Sequence, residues 1–102
     1  MRITNSEISL IHSVLKKHLT DINHTVYLFG SRLDDQKKGG DIDLLLKVDF
    51  SDFAKIYDIK YLIKFDLESD LGDQRVDLTL ITNQKIQDDF FINTVMTKAV
   101  QI

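Results

Sequence analysis

Apolar residues recur at helical spacing through the first twenty positions (Ile8, Ile11, Val14, Leu15 and Leu19), with Lys16 and Lys17 off that stripe. Thr4 and Glu7 stand ahead of it at the spacing of a capping box, in which hydroxyl and carboxylate satisfy the free amides of a helix start. The period then changes. Thr25 to Phe29 is a short β-branched and aromatic run, and predicts the first strand. Asp41 to Val48 predicts the second strand, with carboxylates at alternate positions ahead of Leu44, Leu45 and Leu46. Ser51 opens a helical pattern to about Ser69, and Gly72 lies where a helix-terminating glycine belongs. Arg75 to Ile81 predicts the third strand, and Asn83 opens a last helix, over 84–102, running towards the chain end.

The predicted order is α-β-β-α-β-α: an α/β (α+β) domain over residues 1–102 with a short mixed three-stranded sheet and flanking helices. A helix joins the second and third strands, so they should be parallel, with their N-terminal ends side by side. Asp43 and Asp77 sit near those two starts and should converge. An antiparallel first strand would bring the Gly30-Ser31 turn to the same rim.

Composition narrows the possible functions. At 102 residues, 43% hydrophobic and 28% charged, the chain fits one folded domain with its own core. No apolar run is long enough to span a bilayer, and the N-terminus lacks the pattern of a signal peptide. Cysteine is absent, which removes disulfides and thiolate metal sites and fits a cytoplasmic location. A net charge of −3 gives no basic footprint for direct nucleic-acid binding. His12, His18 and His24 show no metal-ligand spacing and are expected on the surface. No Ser-His-Asp or Cys-His arrangement is present.

What remains is acidic. In a strand, Asp41 and Asp43 point to one face. Two such charges about 4 Å apart repel by roughly 4 kcal/mol at an effective dielectric of about 20. Magnesium, which takes one or two carboxylates plus substrate phosphates, would relieve that repulsion. Gly30 lets backbone approach a phosphate closely. Ser31 reads as the cap of a short helical turn with Asp34 at its third position, either as an ordinary cap or facing a triphosphate. Arg32 is either a phosphate contact or a solvated loop cation, and Lys37 and Lys38 soften the local acidity.

The stretch Tyr27-Leu28-Phe29-Gly30-Ser31-Arg32, followed by Gly39-Gly40-Asp41-Ile42-Asp43-Leu44 and by Asp77 within Arg75 to Leu80, resembles the minimal nucleotidyltransferases of the DNA polymerase β-like superfamily. The resemblance implies their fold. It also implies a two-magnesium site on Asp41, Asp43 and Asp77, with Asp77 positioning or deprotonating the attacking hydroxyl. Gly30, Ser31 and Arg32 would bind the nucleotide, and ATP would be the donor of AMP. Leu33-Asp34-Asp35 departs from the small residues common after this Gly-Ser-Arg, which touches the phosphate contacts and not the metal site.

Larger members carry an acceptor-binding domain for which this chain has no room, so the acceptor should come from a partner or a second copy. Small domains of this kind resemble the antitoxins of HEPN/MNT toxin–antitoxin pairs, which implies transfer of AMP to a tyrosine of a HEPN-domain toxin encoded nearby. Two alternatives are a non-catalytic interaction module that inhibits by binding, and transfer to a small molecule such as an aminoglycoside. On the long helix, Phe53, Tyr57, Tyr61 and Phe65 form an aromatic ridge beside an aliphatic stripe of Ile56, Ile59, Ile63 and Leu67. The last helix carries Ile86, Phe90, Phe91, Ile92, Val95, Met96, Ala99 and Val100. These apolar faces are either core or a contact surface.

Overall fold

The Thr4 hydroxyl accepts from the Glu7 amide at 3.0 Å, and the Glu7 carboxylate accepts from the Thr4 amide at 2.9 Å. This reciprocal cap starts helix α1 (Asn5–His18), which turns Ile11, Val14 and Leu15 inward. The computed structural model describes residues 1–36 and 40–102. Lys37, Lys38 and Gly39, and with them the expected softening of local acidity by the two lysines, lie outside the described residues.

After α1 come β1 (His24–Phe29), a 3₁₀ turn (Gly30–Leu33), β2 (Ile42–Val48), α2 (Phe50–Asp70) and β3 (Val76–Ile81). Two short helices, α3 (Asn83–Asp88) and α4 (Phe90–Met96), precede a last strand, β4 (Val100–Gln101). The described residues form an α+β domain with a mixed four-stranded sheet in the order β3-β2-β1-β4. β2 and β3 are parallel and β1 is antiparallel to β2, as expected from the connections.

Two expectations are corrected at the chain end. The sheet has four strands rather than three, because Val100–Gln101 pairs with β1 and the Ile102 amide donates to Val26 O at 3.0 Å. The predicted single last helix is two: Asp89 is extended (φ −99°, ψ 113°), and its carboxylate caps α4 through the Ile92 amide. A carboxylate so placed offers the backbone an alternative to continuing α3.

The alternation of β2 sorts its side chains between two layers. Leu44 and Leu46 pair across the sheet with Leu28 and Leu78, and with Val26 and Leu80, under α1 and α2. Leu45 faces the other way and joins Ile81 and Ile92 beneath α3 and α4. On the same face, at the end where β2 and β3 begin, Asp43 is half-buried and Asp77 exposed.

On α2 the two apolar faces separate. Ile56, Ile63 and Leu67 are buried, whereas Tyr57, Tyr61 and Phe65 are 59, 68 and 68% exposed. The aliphatic stripe is core, and the aromatic ridge beyond Phe53 is surface.

Candidate functional site

The register fixes a row across three strands. Phe29 pairs with Asp43, and Asp43 pairs with Asp77. Adjacent strands lie about 4.8 Å apart, so the two carboxylates leave the same face as immediate neighbours. Asp43 is half-buried and Asp77 exposed. Burial first, then the charges of Asp77 and Asp41, hold the Asp43 carboxyl above its ordinary pKa. Ionised Asp43 is thus disfavoured by its surroundings, and a cation bound beside it would favour the carboxylate.

Asp41 is placed differently from the expectation. β2 begins at Ile42, so Asp41 lies just ahead of the strand, exposed, although near enough for its charge to act on Asp43. The Ile42 amide donates to Arg75 O at 3.0 Å, which sets where the parallel pair begins.

Gly30 closes β1 with φ +79°, a left-handed conformation that glycine adopts without strain. A Cβ on it would stand 2.2 Å from Asp43 Oδ2. The turn and the carboxylate are thus in contact, and only a residue without a side chain allows it.

Ser31 does not cap the turn. It lies inside Gly30–Leu33, whose cap residue is Phe29, and its carbonyl accepts from the Asp34 amide at 3.1 Å. Because Gly30 itself takes the first helical position, the serine comes two residues too late to cap. Its hydroxyl packs against Gly40, where a Cβ would come within 2.6 Å.

Arg32 is a strap. Its guanidinium donates to Arg2 O (2.9 Å), to Gly40 O (3.3 and 3.4 Å) and to Gln74 Oε1 (3.0 Å). Arg2 returns the tie, donating to Ser31 O at 3.0 Å and Asp34 O at 2.9 Å. Arg2 and Gln74, neither of them expected as a site residue, hold the rim together. Their partners lie up to 42 residues away in sequence, so no local spacing announces them.

The histidines lie elsewhere. His12 Nε2 meets Ile102 O at 3.0 Å, His18 Nε2 meets Asp66 Oδ2 at 2.5 Å, and His24 Nδ1 meets Ile22 O at 2.9 Å.

The donors at the rim suit a hard cation, being carboxylate oxygens that repel one another. Among the described residues no group of three or more histidine, cysteine or acidic side chains is placed to hold a metal ion by itself. Magnesium takes this kind of incomplete protein set when substrate phosphates finish its shell. No protein-family model matches this chain, and no curated protein matches it closely enough to count as a relative.

Proposed function

We propose that this domain has the nucleotidyltransferase fold and transfers a nucleoside monophosphate, AMP from ATP, to a hydroxyl group. The observation that carries this is the contact of three features at one rim: Asp43 and Asp77 paired across β2 and β3, and Gly30 against the Asp43 carboxylate. Asp41, Asp43 and Asp77 would hold a magnesium pair. The chemistry supplied by that pair would be charge neutralisation of the triphosphate and of the attacking and leaving oxygens in an in-line displacement.

The chain's own groups do the rest. Gly30 and Ser31 present backbone to the phosphates, with no side chain at position 30 to hold them off. Arg32 fixes the turn with most of its guanidinium donors, which go to Arg2, Gly40 and Gln74. Asp43, whose carboxylate its surroundings disfavour, would gain most from a cation at the rim. Asp77, exposed beside it, orients the acceptor hydroxyl and takes its proton. The acceptor oxygen then bonds to the α-phosphorus, the bond to the bridging oxygen breaks, and pyrophosphate leaves. Positioning and electrostatics account for most of the rate in such displacements, so few further groups are required.

The acceptor we propose is a tyrosine of a HEPN-domain toxin, which makes this chain an antitoxin of the cytoplasm. The exposed aromatic ridge Tyr57, Tyr61 and Phe65 supports a partner-binding role. That ridge also favours a second possibility, inhibition by binding alone.

Incubation with magnesium and α-labelled ATP separates the two. Enzymatic transfer labels the partner covalently and releases pyrophosphate, and Asp41→Ala, Asp43→Ala and Asp77→Ala each abolish the label. The double variant Asp41→Ala/Asp43→Ala should be scarcely worse than either single one, because groups that act as a unit are not additive. Toxin neutralisation that survives loss of all three acids would leave only the binding role. Label on a small hydroxyl compound, with none on protein, would point to a small-molecule transferase.

A further inference from the structure

A groove of about 780 Å³ opens beside the carboxylate rim, between the 3₁₀ turn and α4. Phe29, Gly30 and Leu33 line one side, and Phe91, Val95 and Lys98 the other. Its volume lies in the range of small-molecule sites, and most of its lining is apolar. Phe91 is 62% exposed and has no ring partner among the described residues, so its face is open to a ligand in the groove. Gly30 belongs both to this groove and to the contact with Asp43. The groove and the acidic rim are therefore continuous.

We propose that this groove takes the nucleobase of the donor triphosphate, with Phe91 as the stacking platform; the inference rests on the transferase reading above. An aromatic face beside an apolar wall suits a flat heterocycle, and such stacking tolerates any base because each has a π-face. Contact sets the direction of the ligand. Gly30 is the groove residue that touches the Asp43 carboxylate, while Asp34 and Asp35, the latter paired with the Met1 ammonium, offer carboxylate acceptors to amino or ribose hydroxyl groups. The triphosphate consequently runs from the groove past Gly30 towards Asp43 and Asp77. A second pocket, lined by Phe50, Phe53 and Lys85, lies by the far end of β3 and does not meet the carboxylates.

Binding of magnesium-ATP and of magnesium-tripolyphosphate, measured by calorimetry on the whole chain, tests this. Wild type should bind ATP more tightly than tripolyphosphate. Phe91→Ala should weaken ATP by at least about fivefold, the low end for removing an aromatic from under a base, and leave tripolyphosphate unchanged. Asp43→Asn should weaken both. Thr94→Trp, which fills the groove from α4 and retains Phe91, should repeat the selective loss. The fluorescence of 2-aminopurine riboside triphosphate should be quenched by wild type and not by Phe91→Ala. Equal binding of the two ligands by wild type, or undiminished ATP affinity in folded Phe91→Ala and Thr94→Trp, overturns the base groove and leaves the triphosphate site standing. Failure of wild type to bind either ligand overturns the transferase reading, and this inference with it.

Discussion

The Glu68 carboxylate accepts a hydrogen bond from the Val76 amide at 2.9 Å, joining the last turn of α2 to the first residue of β3. The Glu68 carbonyl accepts from the Asp73 amide at 2.8 Å, while Gly72 donates to Ser69 O at 3.2 Å. One residue thus uses its backbone and its side chain to fix the reversal between helix and strand. Asp77 follows Val76 directly, so the height at which it meets Asp43 is set by this pair.

That bond has a pH signature. The Val76 amide first, and Lys64 second, hold the Glu68 carboxyl below its ordinary pKa. In the interval between the two values the unfolded chain binds more protons than the folded one. The stabilisation is therefore complete above the ordinary glutamate range and is lost as pH falls through the folded value. Wild type should be more stable than Glu68→Gln at neutral pH, and the two should converge in acid. Denaturation across the acid range checks this, and a gap that stays constant would refute the assignment.

Asp43 should show the opposite sign. Its carboxyl is raised, so the folded chain holds the extra proton, and stability falls as pH rises from the ordinary carboxylate range through the folded value. Without ligand, Asp43→Asn should be more stable than wild type at neutral pH and indistinguishable from it in acid. Magnesium and ATP together should reverse the order, since a ligand at 100 times its Kd adds about 2.7 kcal/mol. Thermal melts with magnesium, ATP, both and neither supply the comparison. Identical responses in wild type and Asp43→Asn would remove Asp43 from the site.

Two glycines with the same backbone conformation should behave differently. Gly30 and Gly72 have φ +79° and +74°, but a Cβ at Gly72 meets nothing within 4 Å. Each change to alanine should cost about 1–2 kcal/mol for the left-handed backbone. Gly30→Ala should also lose magnesium-ATP binding, because the new methyl group displaces the Asp43 carboxylate, whereas Gly72→Ala should bind normally. Melts paired with calorimetry test both halves. Normal binding by Gly30→Ala would mean that the Asp43 carboxylate does not need its place over the turn.

Much of this architecture is legible in local pattern. The Thr4–Glu7 cap and the Gly72 helix end each depend on residues a few positions apart. The convergence of Asp43 with Asp77 follows from topology alone, because a helical connection makes the strands parallel. What escapes is what depends on distant partners. Val100 and Gln101 are strand only because the free edge of β1 is there to receive them, and β-propensity is largely a response to such neighbours. The break at Asp89 is a local competition between capping and helix continuation, which the apolar spacing of Ile86, Phe90 and Phe91 conceals. At the site, the same limit hides the strap from Arg32 to Gln74 and the aromatic exposed beside Gly30.

The α2 ridge yields the last prediction. A helix apolar on both faces is ordinarily enclosed on both, yet here one face packs on the sheet and the other carries Tyr57, Tyr61 and Phe65 outward. Tyr61→Asp should leave the fold intact, because that side chain is 68% exposed. Ile63→Asp, two residues on and fully buried, should unfold the domain. The folded Tyr61→Asp variant should lose association with the partner by size-exclusion chromatography, and with it covalent labelling of the partner. Binding of magnesium-ATP should not change, since α2 covers the Leu44 face of the sheet and the carboxylates leave the other. Loss of docking with nucleotide binding retained would separate the surface that recruits the acceptor from the rim that performs the transfer. Undiminished association would exclude Tyr61 from the docking surface, and circular dichroism of both variants guards against reading misfolding as lost contact.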